Sequence, residues 1–211
     1  MPRPPAVVGV VFAGVGGQGV ASAAEVLALA AIDRGLCAVV LETRGLAQRG
    51  GMITAHVRVG ASDAVAPRSS LNDVHFLVGF EPAETARSAR AFPRARVLSV
   101  GSPLLPGGLL PSAYPSASSL RRELEARPAQ VLIVDTPKSI RVNIFGLGAL
   151  AALGAAGADW ATVEAVARRR FSREDMNDLA AGHAAIEQLQ LVAAWNDQLS
   201  FEELDATRRP P

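Results

Sequence analysis

Cysteine is almost absent from this 211-residue chain, with Cys37 standing alone. One cysteine cannot close an intrachain disulfide, nor by itself hold an iron–sulfur cluster or a structural zinc. It reads as a small buried apolar residue within a strand at 36–41. Lysine is equally scarce: Lys138 is the only one, so arginine carries the positive charge, which reads as codon bias rather than function. Twenty-one basic residues against 20 acidic ones leave a formal net charge of +1. That balance supplies no global attraction to nucleic acid or to an anionic membrane. Aromatic residues make up only 5% of the chain, so a core drawn from its 49% apolar residues must be aliphatic and alanine-rich.

Long uninterrupted apolar runs are missing too. The uncharged stretch from Val142 to Ala158 contains four glycines and reads as a buried helix and turn, not a membrane span. Near the N-terminus, Arg3, an apolar run and Ala21-Ser22-Ala23 imitate a secretory signal. Gly14, Gly16, Gly17, Gln18 and Gly19 interrupt that run where a signal needs continuity. A retained N-terminus and a cytoplasmic location are therefore expected. The length suits one domain over residues 1–200, with 201–211 as a disordered tail and no internal repeat.

What is present begins with Gly14-Val15-Gly16-Gly17-Gln18-Gly19, directly after the apolar run Val7–Phe12. A strand entering a glycine-rich turn and then an alanine-rich helix presents backbone N–H groups to a phosphate. On that pattern Gly14 permits the turn, Gly16 admits a pyrophosphate and Gly19 allows helix and strand to approach. The following helix is expected from Val20 to Arg34, with small Ala21, Ala24, Ala28 and Ala31 against the sheet and Gly35 as its C-terminal cap.

Strand and helix alternate along most of the chain, which predicts an α/β fold: a Rossmann-like, doubly wound, mostly parallel sheet with a C-terminal helical segment. Further strands are expected at 38–42, 52–59, 74–80, 97–101 and 131–135. The segment 38–42 is apolar enough to be covered on both faces. In 52–59, Ile53, Ala55, Val57 and Val59 alternate with Met52, Thr54, His56 and Arg58, the period of a half-buried strand near an edge or against a partner. Pro82 opens a helix to Phe92. Between the fifth and sixth strands, Leu104, Leu105, Leu109 and Leu110 need cover, from this chain or from another subunit. Ser172-Arg173-Glu174-Asp175 resembles a capping box beginning a helix to about Trp195, with His183 on its apolar stripe as a core or interface residue.

Two loops are candidates for chemistry. The glycine loop lacks the Lys-Ser/Thr ending of a nucleotide-hydrolysing loop. Glu42 closes the second strand where a dinucleotide fold carries its ribose-binding acid, which permits an autonomous NAD(P)-dependent dehydrogenase. That reading lacks a visible catalytic constellation: His56 and His75 belong to strands, and no Tyr-x-x-x-Lys occurs. The loop after Glu42, Thr43-Arg44-Gly45-Leu46-Ala47-Gln48-Arg49-Gly50-Gly51, combines forked donors with glycines. From the residues alone, it is equally an anion site or a structural interface, and a protein-only adaptor stays open. Lys138 follows the last strand and could reach an anion, though solvation explains it as well.

Together, GVGGQG and E-TRG-LAQRGG resemble the γ module of the 2-oxoacid:ferredoxin oxidoreductases, and the Gln-Arg-Gly-Gly form is most similar to the small subunit of the indolepyruvate branch. Phe80-Glu81-Pro82, Asn143 with Leu147-Gly148-Ala149-Leu150, and Phe171 through Asn177 to Ala181-Gly182 extend the resemblance over about Val7 to Trp195. It implies a non-catalytic subunit of a complex that decarboxylates a 2-oxoacid oxidatively to an acyl-CoA and passes electrons to ferredoxin. Thiamine diphosphate, magnesium and 4Fe-4S clusters would belong to a large partner subunit. Coenzyme A, another nucleotide or only protein would meet Gly14, Gly16, Gly17, Gln18, Gly19, Arg49, Gly50 and Gly51. The turn between Asp135 and Asn143 is shorter than the resemblance leads one to expect.

Overall fold

The fold was examined in a computed structural model, which describes residues 7–45, 51–61, 73–105, 111–154 and 159–189. Strand β1 (Val7–Val15) stands inside the sheet because its side chains are apolar on both faces. Val8, Val10 and Phe12 enter one core, while Val11 and Ala13 enter the other. Such two-sided burial is what makes the run continuous rather than alternating. Helix α1 (Val20–Asp33) follows, its Ala24, Ala28 and Ala31 buried. Gly35, at φ 77°, ends it: Gly35 N–H donates to the Ile32 carbonyl and Leu36 N–H to that of Ala31. This reciprocal pair is the left-handed cap that glycine adopts without steric cost.

The remaining strands are β2 (Cys37–Arg44), β3 (Met52–Gly60), β4 (Phe76–Gly79), β5 (Arg96–Val100) and β6 (Val131–Val134). The sheet order is β2-β3-β1-β4-β5-β6. β3 pairs antiparallel with both β1 and β2, and the other three pairings are parallel. The α/β expectation is met, but the places of two strands are exchanged. β3 is not at the edge: it lies between β1 and β2, and even Thr54 and Arg58 on its polar face are only 7% and 8% exposed. β2 is the edge strand, and its Val40 is 40% exposed rather than covered. The alternation in β3 predicts a half-buried strand, yet both of its faces are covered. Composition cannot rank a strand's place in a sheet. β1 also runs three residues past Phe12, because its pairing with β3 continues to Val15 opposite Met52.

Helices α2 (Pro82–Ala91) and α3 (Ala117–Glu125) cover one face. Helices α1, α4 (Val142–Ala152), α5 (Trp160–Arg170) and α6 (Arg173–Gln188) cover the other. Helix α3 has no counterpart in the sequence reading, since only Leu120 and Leu124 are buried on it and its apolar signal is short. The capping box at Ser172 and Asp175 is formed in both directions. His183 stacks against Trp160, with ring centroids 4.3 Å apart. The expected extension of α6 to Trp195, and the tail, lie outside the described residues.

Helices α4 and α6 meet through glycine. A Cβ on Gly148 would stand 1.9 Å from the Leu179 carbonyl oxygen, and one on Gly182 would stand 2.0 Å from that of Phe145. Both obstacles are backbone, so neither can swing aside. Gly148→Ala should therefore destabilise the fold by about 1–3 kcal/mol, seen as a lower urea midpoint at unchanged m-value.

His75 supplies a second check. Its Nδ1 accepts the Gly9 N–H at 3.0 Å, which requires the neutral ring. Burial, opposed by the Asp73 charge, lowers the pKa of this imidazole. Both states are neutral above the unfolded value of about 6.5, so the His75 contribution is fully present there. As pH falls below that value the unfolded chain takes the proton first, and stability is lost towards the lower folded pKa. Urea melts between pH 7.5 and 5 should show this loss, and His75→Asn should flatten it.

Candidate functional site

Five of the six strands run in one direction, so the loops after β1, β4, β5 and β6 emerge on one edge. From β1 the chain winds outward to β2, and from β4 it winds the other way to β5 and β6. The crevice where the winding reverses is where open α/β sheets take ligands. A cavity of about 710 Å3 opens on this side, walled by Gly17, Gln18, Gly19 and Ser22 from the first loop and helix α1. Gly101–Leu104 after β5, Thr136–Lys138, Ile140 and Arg141 after β6, the first turn of α4 and Phe171 complete it.

The glycines of the first loop divide by physical role. Gly14 is not a turn residue: it pairs with Ile53 within β1. A Cβ there would lie 2.7 Å from Gln18 Oε1 and 3.3 Å from Phe80 Cβ, so Gly14 makes room for the glutamine. Gly17 and Gly19 carry the positive φ values, 95° and 73°. Nothing lies within 4 Å of a Cβ on Gly17, whereas one on Gly19 would strike the Asn143 amide at 2.4 Å. The loop backbone is thus open at Gly17 and pressed against α4 at Gly19. Gly16 is exposed, and its N–H donates to the Gly51 carbonyl at 3.1 Å, which brings the second loop beside the first.

Gln18 turns inward. Its Oε1 accepts the Val15 N–H at 2.9 Å, and its Nε2 donates to the Phe80 carbonyl at 3.0 Å. Phe80 in turn donates its N–H to the Ala13 carbonyl at 2.8 Å. Glu81 is 1% exposed and caps α2, accepting the Glu84 N–H on Oε2 at 2.8 Å. Its Oε1 faces the Leu104 N–H at 3.4 Å and the Tyr114 hydroxyl. Burial, then the bond to Glu81, raises the Tyr114 phenol well above its ordinary range, which keeps it a donor. Across the cavity, Thr136 joins two loops: its Oγ1 accepts the Gly101 N–H at 3.0 Å, and its carbonyl accepts from Ser102 Oγ at 3.3 Å.

The electrostatics favour an anion. Side chains cap four helices: Glu81 caps α2, Ser116 caps α3, Asp159 caps α5 and Ser172 caps α6. Helices α1 and α4 have no side-chain cap and no acidic residue in the first turn. Both of these N-termini face the cavity, where orphan N–H groups and the positive end of each helix dipole meet. Lys138 and Arg141 are the charged residues of the wall. Arg141 is held by its Nε 2.9 Å from Asp175 Oδ1, while its backbone N–H donates to Asp178 at 2.9 Å.

Of the residues singled out by sequence, Gly17, Gln18 and Gly19 line the cavity. Gly14, Gly16 and Gly51 support it from behind, and Arg49 and Gly50 lie outside the described residues. Glu42 is not in the cavity wall. It sits opposite Ala55 on β2, with β3 between it and β1, so it is displaced by one strand from the place where a ribose-binding acid beside the glycine loop belongs. Sequence reasoning weighed Lys138 but did not single out Arg141, Ser22, Thr136 or Gly101 as wall residues. The signal available for Arg141 was its position immediately before an apolar, uncapped helix. Leu104 and Leu105 are 47% and 40% exposed in this chain, while Leu109 and Leu110 lie outside the described residues. Among the described residues no cluster of His, Cys, Asp and Glu could hold a metal ion, and no helix is long and apolar enough to cross a membrane.

This chain belongs to the pyruvate ferredoxin/flavodoxin oxidoreductase family, whose model matches residues 9–188. It is 32% identical over 134 residues to an indolepyruvate oxidoreductase subunit IorB of Archaeoglobus fulgidus, a match covering 64% of this chain and 63% of that protein. With the subunit of the same name from Pyrococcus horikoshii it shares 29% over 154 residues, 67% of this chain and 75% of the relative. Among solved structures, the pyruvate oxidoreductase subunit PORC of Thermotoga maritima has the same fold, with a TM-score of 0.62 at 17% identity over 87% of this chain and 97% of that one. A 2-oxoglutarate:ferredoxin oxidoreductase from Magnetococcus marinus, with 2-oxoglutarate, coenzyme A and succinyl-CoA bound, aligns at TM-score 0.60 and 19% identity over 93% of this chain but only 32% of that one.

Gln18 can be tested without any ligand. Gln18→Glu keeps an acceptor for Val15 N–H but turns a carboxylate oxygen toward the Phe80 carbonyl. It should cost about 1–3 kcal/mol of stability, read by urea denaturation, and more than Gln18→Met if the amide donor is what matters.

Proposed function

We propose that this chain is the small subunit of a 2-oxoacid:ferredoxin oxidoreductase complex and that its cavity receives the phosphates of coenzyme A. The observation carrying the ligand half is the convergence of two uncapped helix N-termini with Gly17, Lys138 and Arg141 on one cavity. A phosphate ester satisfies orphan N–H groups and Lys138 at once, and Arg141, held in place by Asp175, adds the donors that this ion pair leaves over. The cavity is large enough for part of a nucleotide-sized cofactor, and coenzyme A is present in the Magnetococcus structure of the same fold. Among the described residues, no acidic side chain lines the wall.

The assembly half rests on family membership and on the naming of several relatives as subunits. A chain with one cysteine cannot supply cluster ligands alone. The oxidative decarboxylation, its thiamine diphosphate, magnesium and 4Fe-4S clusters, and the ferredoxin contact therefore fall to a larger partner. The Archaeoglobus and Pyrococcus relatives favour indolepyruvate or another arylpyruvate as the 2-oxoacid. The role here is non-catalytic: this chain binds and orients the acyl acceptor, and the reacting carbon stays on the partner. A cytoplasmic complex is consistent with electron delivery to a soluble acceptor.

Two measurements test this. Anaerobic affinity purification from the native host should recover a stoichiometric large chain carrying thiamine and iron. Calorimetric titration of the purified chain with coenzyme A should show binding that weakens with salt, and Lys138→Ala with Arg141→Ala should raise Kd by about tenfold or more. A lone, colourless protein that binds NAD and not coenzyme A would overturn the proposal.

A further inference from the structure

Glu81 does more than cap a helix. Its two carboxylate oxygens are shared among three segments far apart in sequence: the first turn of α2, the loop leaving β5 and the segment preceding α3. A capping acid needs only one of these contacts. The Leu104 side chain is half exposed, yet its N–H is turned inward to Glu81 Oε1. Three residues earlier, Gly101 takes φ 93° and passes so close to the Phe80 carbonyl that a Cβ would lie 2.3 Å from that oxygen. The same carbonyl receives the Gln18 amide. The dipeptide Phe80-Glu81 thus grips the glycine loop on one side and the Gly101–Leu104 wall on the other.

We infer that Glu81 is a positioning residue for the ligand cavity, holding the Gly101–Leu104 wall at a fixed separation from the Gly17–Gly19 loop through Leu104 N–H and the Tyr114 hydroxyl. It touches no ligand. Its buried charge is balanced by three donors, and charge-assisted bonds of this kind are stronger than neutral ones. Replacing the carboxylate by an amide breaks the balance, because one of the three donors must then face an N–H group. Tyr114→Phe removes a single donor from the half-buried rim and leaves the α2 cap intact. The inference rests on the reading of this cavity as the coenzyme A site, so wall position and ligand affinity are measured separately.

The experiment uses the full chain, as wild type, Glu81→Gln and Tyr114→Phe, with hydrogen exchange resolved at Gly101–Leu105 and calorimetric titration with coenzyme A. Exchange at the Leu104 amide should rise about tenfold in Glu81→Gln and several-fold in Tyr114→Phe. The coenzyme A Kd should rise in the same order, while the Tyr114→Phe melting temperature stays near wild type. If Glu81 serves only as a cap, Leu104 exchange will stay unchanged in both Glu81→Gln and Tyr114→Phe, which overturns the inference. Faster Leu104 exchange with unchanged coenzyme A affinity also overturns it. A wild-type chain that binds no coenzyme A defeats the functional reading, and the wall-positioning claim then stands or falls on exchange alone. Should Glu81→Gln fail to fold, Tyr114→Phe decides by the same two readouts.

Discussion

The end of β4 is the joint on which this molecule depends. Phe80 bonds β1 through its N–H and the glycine loop through its carbonyl, while its ring is fully buried near Phe12, with centroids 5.8 Å apart. Gly146 of α4 lies against that ring so closely that a Cβ would come within 2.7 Å of it. The sheet, the first loop and the helix that faces the cavity therefore take their mutual positions from one residue. An error of an ångström there would move both walls of the site, since packed interiors transmit strain rather than absorb it.

Strand polarity explains why the site lies where it does. Reversing β3 alone lets the chain pair β2 with β3 as antiparallel neighbours and still deliver four strand-to-loop exits to one edge beside β1. Helix N-termini follow those exits, so orphan N–H groups gather on the same edge. Side chains cap the other four helices: Glu81, Ser116, Asp159 and Ser172 do so. Against a good capping residue, Gly19 at the start of α1 costs about a few tenths of a kcal/mol and Arg141 at the start of α4 about 0.5–2 kcal/mol. That cost at two helices facing one cavity makes sense when a bound anion offsets it, and at a helix facing bulk water it would bring nothing.

Much of this was legible in the sequence. The apolar strand that enters the glycine loop, the buried Ala24, Ala28 and Ala31 of α1, the glycine stop at Gly35 and the capping box at Ser172 follow from local chemistry and are present as read. The glycine loop and Gln18 were found, and the resemblance to the oxidoreductase γ modules agrees with the family match over residues 9–188. What was not legible depends on distant partners. Whether β2 or β3 occupies the edge is decided by pairing with β1, some 40 residues away in sequence for the Phe12–Ala55 pair (55 − 12 = 43), and no local pattern encodes it. In the sequence Glu81 stands out only as part of the Phe80-Glu81-Pro82 resemblance; its bonds to Leu104 and Tyr114, 23 and 33 residues further on, could not be read from the residues around it.

The glycine motif shows how one pattern can serve a different geometry. In the dinucleotide reading, the first glycine turns the chain, the second admits the ligand and the third admits the strand. Here Gly14 remains in the strand and vacates space for Gln18, whose amide fills the region above it. The turn that the dinucleotide pattern assigns to Gly14 is therefore absent here. The cavity lies on the Gly17–Gly19 side, towards α4, Lys138 and Arg141, and its wall includes neither Glu42 nor any residue of β3. An acid one strand removed from the glycine loop weighs against a ribose held beside β2, and the proposed phosphate site lies instead between the N-termini of α1 and α4. The identity of residue 18, more than the glycines around it, separates the two geometries.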